Sequence, residues 1–111
     1  MTDHTSSNPQ PSTDLRARND RYYLAQCVKD ETMGESVAGA VLKLREQPAT
    51  VVHFNGSFHS DFAEGTVAST ARRLSGRRLL VVSIVTVPDL DAVAPVGDDL
   101  HRADYVVYTL R

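Results

Sequence analysis

Nothing in this sequence restricts the fold more than residues 79–87, LLVVSIVTV. A nearly unbroken run of aliphatic and β-branched residues offers no polar face to water, so it predicts a strand covered on both sides. Such strands belong to parallel sheets layered with helices. The neighbouring chain supplies the matching parts. ATVVHFNG predicts a short buried strand over Thr50–Phe54, stopped by Asn55-Gly56. EGTVASTARRL sets Val67, Ala71 and Leu74 at helical spacing, with Thr66 as N-cap and Gly76 as the stop. Arg72 and Arg73 fall in the last turn of that helix, where positive charge suits the dipole. Strand, helix and strand in succession form a βαβ unit with a right-handed crossover. A long polar loop, PDLDAVAPVGDDLHRA, then leads to a third strand in DYVVYTL.

Upstream, Tyr23, Cys27, Asp30, Met33, Val37, Val41 and Leu44 fall on one stripe when residues are placed 100° apart. This predicts an amphipathic helix of about 24 residues from Tyr22 to the stop at Pro48, bent at Gly34 and weakened again at Gly39. Asp30 interrupts the apolar face. Its head either reaches water at the edge of the stripe or is paired inside, with an arginine or with the imidazole of His59. Cys27 reads as a small core residue, and as the only cysteine it excludes a disulfide framework and a cysteine-based zinc cluster. Residues 1–19, rich in Ser, Thr, Asn, Asp and Pro, predict a disordered tail, and His4 within it has no assigned role. Residues 20–111 form the folded part.

The architecture is therefore α/β: a short, mainly parallel sheet of about three strands, a long amphipathic helix and a βαβ unit. Two helices are too few to cover both faces of such a sheet, so the chain reads as a partial domain completed by a second chain or by further sequence. The net charge of −2 gives no electrostatic case for nucleic acid or an anionic membrane. No run approaches the ~20 apolar residues of a membrane span, and no signal peptide is visible, so the default location is cytoplasmic.

The chemistry concentrates in HFNGSFHSDF, residues 53–62, between the first strand and the second helix. Ligands of open α/β sheets bind outside the carboxyl ends of the strands, and a helix N-terminus favours anions. His59, in the loop, can offer a lone pair to a metal or haem iron, or act as a base. Asp61 can orient it or be a ligand itself, and Gly56 permits a sharp turn or a close backbone approach. The competing reading is a turn that is polar only because turns are. His53 reads as a half-buried packing residue. Ser57 lacks a G-x-S-x-G elbow, and His53, His59 and Asp61 make a poor zinc set. Tyr22 and Tyr23 read as packing residues, although a tyrosinate can ligate ferric haem. Tyr105 and Tyr108 point to opposite faces of the last strand.

Four blocks, YLAQCVKDETMGES, VVHFNGSFHSDFAEGTVASTARRL, RRLLVVSIVTV and RADYVVYT, resemble the ChaN-like haem-binding uptake family of the Tiki superfamily. The resemblance runs over about residues 21–110 and is to the C-terminal half of that family's domain. It implies haem binding in iron uptake, with haem held at a dimer interface by histidine and tyrosine ligands. The family's G-x-x-H element falls on Gly56–His59, making His59 the implied haem-iron ligand, with Gly56, Ser57 and Asp61 shaping the loop. An aromatic hydroxyl often follows that histidine by three residues; here the position is Phe62. The family's N-terminal histidine motif has no counterpart in residues 1–20. The resemblance implies a non-enzymatic binding domain, paired as a homodimer or with a chain supplying the other half. Its alternatives are a subunit or remnant of a histidine- or metal-dependent hydrolase, and a structural half-domain.

Overall fold

The computed structural model describes residues 13–95 and 97–111. Helix α1 spans Thr13–Lys43 and helix α2 spans Gly65–Arg73. Between them the chain makes two single turns of 3-10 helix, Ser57–His59 and Asp61–Ala63. Strand β1 is Val82–Val87, a short helix α3 is Asp99–Arg102, and strand β2 is Tyr105–Leu110. The fold is mixed α/β and incomplete, as the sequence predicts, but the sheet has two strands and not three.

The predicted strand at Thr50–Phe54 does not form. A strand exists only through a partner's backbone, and the two-stranded sheet pairs β1 with β2 alone. Val52 and Phe54, which the sequence reading buried, stand 68% and 88% exposed. The predicted βαβ unit therefore lacks its first strand. The parallel crossover is instead β1–α3–β2, with Val82 opposite Tyr105 and Val87 opposite Leu110. β1 starts at Val82 because β2 begins only there. Asp104 seals this end: its carboxylate accepts the Val81 N–H at 2.7 Å, and the Asp104 and Tyr105 N–H groups donate to the Val81 carbonyl.

Helix α1 is longer than predicted. It opens at Thr13, so residues 13–19 are helical where a tail was expected, while 1–12, with His4, lie outside the described residues. It also runs continuously through Gly34 and Gly39. The face it buries runs beside the predicted stripe. Gln26, Gly34 and Ala38 are buried in the order i, i+8, i+12; Cys27, Asp30, Met33, Val37 and Val41 of the stripe are half-buried, and its ends, Tyr23 and Leu44, are exposed. Against this ridge α2 lays Thr66, Ser69 and Thr70. A Cβ at Gly34 would overlap Ser69, so the glycine is a point of helix–helix contact and not a bend.

Ala38 and Leu74 are the only fully buried apolar residues among those described. The seam between α1 and α2 is thus the packed part of the molecule. One face of the sheet (Val82, Ile84, Tyr105 and Val107) is open to solvent.

Candidate functional site

The loop between the helices is fastened at two points, and the fastenings go in different directions. On one side, His59 Nδ1 lies 2.6 Å from Asp30 Oδ1 on α1. The same carboxylate oxygen accepts the Thr66 hydroxyl of α2 at 3.0 Å. Both members of the pair are largely covered, with side chains 17% and 14% exposed. Asp30 is therefore paired inside with the imidazole of His59, one of the two placements open from its position on the helix. Thr66, predicted to cap α2, sits one residue inside it and spends its hydroxyl on Asp30. The carboxylate beside the N-terminal turn of α2 is the protein's own.

Gly65 makes room for this arrangement. Its φ of +54° is a left-handed conformation, and a Cβ there would stand 2.7 Å from the His59 carbonyl and 3.1 Å from each Asp30 oxygen. The sequence reading attached that role to Gly56, which has φ −66° and ψ 146°, with open space around it. The strain in the loop lies elsewhere: Phe62 and Ala63, neither a glycine, adopt φ of 62° and 56°.

On its other side the loop is tied to the sheet. Asp61 accepts the Ser83 hydroxyl at 2.8 Å and the Arg102 guanidinium at 2.5 Å. Arg102 also reaches Asp99 at 3.0 Å and stacks over the Phe62 ring, 5.3 Å from its centre. Asp99 in turn accepts the Tyr108 hydroxyl at 2.8 Å. That hydroxyl, with Arg102 second, holds the Asp99 carboxyl below its ordinary range, and accepting carboxylates hold Arg102 and Tyr108 above theirs. Asp61 therefore does not orient His59. It shares an open cleft of about 220 Å3 with Ser57, Arg102 and residues 83–86 of β1.

A third cluster joins the helices further along. Glu31 bridges Arg72, Arg73 and Ser69, with Arg72 and then Arg73 holding its carboxyl below the ordinary range. These are the arginines expected to serve the α2 dipole; they serve the helix pair as well. On the exposed flank of α1, a hydrogen bond with the Cys27 thiol is the main cause holding the Tyr23 phenol above its usual range.

The described residues contain no group of three or more His, Cys, Asp or Glu side chains placed to hold a metal ion. His53, exposed on the stretch that forms no strand, is remote from such a role. What the site does present is one well-held imidazole. With Nδ1 engaged by Asp30, Nε2 is its remaining nitrogen, and Phe58 packs edge-on against the ring at 5.6 Å. Phe54 and Phe58 are 88% and 69% exposed, so apolar surface lies along the same loop. With one nitrogen to offer, the ring can supply a single ligand to a metal centre or act as a base.

The model of one protein family, described as haem-binding uptake, Tiki superfamily, ChaN, matches residues 1–69. That range takes in α1, the loop with His59 and the first turn of α2. Both strands lie beyond it. No curated protein and no solved structure matches the chain.

Proposed function

This chain belongs to the ChaN family of haem-binding uptake proteins in the Tiki superfamily, and from that premise we propose that it binds haem through His59 without turning over a substrate. The observation that carries the proposal is the anchored imidazole, with Nδ1 on Asp30 and Nε2 left as the nitrogen that would hold the iron. Bound haem would supply the iron. The chain's own part is to hold one ring still, keep apolar surface around it and shape the loop. Gly56 and Ser57 open the turn that carries His59, and Asp61 bolts the far side of that turn to β1 and α3. The ligand would lie beside His59 at the edge of the sheet; the cleft along residues 83–86 opens on the Asp61 side of the loop, is not lined by His59, and would receive only the ligand's periphery.

That cleft, at about 220 Å3, is smaller than the ~300–1,000 Å3 usual for organic ligands. A haem therefore needs a second wall, which a second copy of the chain or a chain supplying the family's other half would provide. The exposed sheet face and the exposed phenylalanines support that arrangement. Asp30 and His59 would also suit a general base acting on water; no serine, threonine or cysteine among the described residues is hydrogen-bonded to His59, which speaks against a side-chain nucleophile activated by it.

Hemin titration of the purified chain, followed by absorbance, tests the proposal. The expected result is a saturable Soret shift that His59→Ala abolishes. A flat titration from folded wild-type protein would remove it.

A further inference from the structure

We infer that Asp30 is the positioning residue of this site: it fixes the tautomer of His59 and sets the donor strength of its free nitrogen. The inference rests on the reading of His59 as the haem ligand and adds what controls it. Three features converge on this one carboxylate. The Asp30 oxygen facing His59 Nδ1 at 2.6 Å also accepts from Thr66 at 3.0 Å, which fixes the carboxylate's rotation. Gly65 then leaves both oxygens the space a side chain would take, and does so in a left-handed conformation that side chains avoid. One turn further along α1, Gly34 meets Ser69, so the helices approach closely enough for the carboxylate to reach across. The exposed Glu31 cluster beside it has no such scaffolding; its carboxylate is 46% exposed.

An ionised carboxylate can only accept, so the Nδ1 of a neutral ring must carry the hydrogen and Nε2 the lone pair. The negative charge also makes the ring a stronger electron donor, which favours ferric over ferrous iron. Metal-ligating histidines are commonly held in this way, and losing the carboxylate usually costs about 10–100-fold in affinity.

The test uses the full chain and has two independent readouts. Nitrogen–proton correlation spectra of the imidazole rings in ligand-free protein should assign the hydrogen of His59 to Nδ1; a ring protonated at Nε2 alone overturns the inference. Hemin titration and redox titration then compare wild type with Asp30→Asn, which keeps an oxygen acceptor for Nδ1 and removes the charge. The variant should bind hemin about 10–100-fold more weakly, with a higher midpoint potential. Wild-type affinity and potential in that variant would overturn the inference even if His59→Ala abolishes binding. If Asp30→Asn does not fold, Thr66→Val takes its place, with a smaller change in the same direction expected and no change overturning it. If wild type binds no hemin, the haem proposal falls, and the tautomer alone decides the role of Asp30.

Discussion

Within seven residues, His59–Gly65, the chain contains one side chain that must be absent and one that would be better absent. Gly65 has positive φ and no room for a Cβ beside His59 and Asp30. Gly65→Ala should therefore lose at least ~1 kcal/mol of stability, the ordinary cost of placing a Cβ in left-handed backbone, and should disturb the His59 ring. Urea unfolding checks the first effect and the imidazole spectrum the second; an unchanged midpoint would mean that the close approach is not there. Ala63 has φ 56° with its side chain exposed. Ala63→Gly should be neutral or stabilising by up to about 1 kcal/mol, because relief of left-handed strain is offset by the freer unfolded chain. A clear loss of stability would show that the Ala63 methyl makes a contact worth more than its strain. At this scale the sequence was partly legible. His59 and Asp61 stand out in HFNGSFHSDF, and the His59 imidazole is among the partners left open for Asp30 as a carboxylate on an apolar stripe. Gly65 was hidden, because its need is created by Asp30, 35 positions earlier in the chain, and no local pattern records that.

Helix α1 shows how far the stripe of large residues reaches. Hydrophobic periodicity finds the half-buried face from Cys27 to Val41, but the closest approach to α2 lies beside it at Gly34 and Ala38, where small residues let the backbones meet. Gly34→Ala should cost about 1–3 kcal/mol by overpacking against Ser69, and Gly34→Ala with Ser69→Gly should recover part of it. Thermal melts of the single and double variants decide this; equal losses in both would place the strain elsewhere. The charged clusters act at the same level. Glu31 and Asp99 have carboxyls depressed in the folded state, so their contribution is complete above the unfolded values near pH 4 and is lost as pH falls through the folded ones. Acid unfolding should thus be gentler in Glu31→Gln with Asp99→Asn than in wild type, with the variant less stable at neutral pH. An identical acid limb in both would mean that neither carboxylate is linked to folding. Helices α1 and α2 and the last two strands were legible from periodicity and β-branching, whereas α3, Asp99–Arg102, lies in the stretch read as a loop. The strand at Thr50–Phe54 was not, because a strand depends on a neighbour and the sequence contains only half of that condition.

For the molecule as a whole, the burial left unmet lies on the open sheet face, where Val82, Ile84, Tyr105 and Val107 stand 57%, 65%, 61% and 45% exposed, a run of apolar side chains of the kind that interfaces cover. Sedimentation should find the chain self-associated, and Ile84→Asp with Val107→Asp, on the open sheet face, should weaken the association at least tenfold. A wild-type chain that sediments as a monomer and melts cooperatively would show that the two open strands need no cover. The shortage of elements that makes this a partial domain was countable in the sequence, since two helices cannot clothe both sides of a sheet.

The carboxylate of Asp30 joins α1, the loop and α2, and that has a consequence for exchange of ligand with solvent. Whatever grips His59 also grips the bond between the helices, so occupancy and helix docking are linked quantities: a ligand at a hundred times its Kd would add ~2.7 kcal/mol to the docked form. The same linkage runs in reverse. A partner that pried α2 from α1 would discharge the ligand, because the ring that held it would lose its anchor on Asp30, and the seam would then serve as the valve of the binding site.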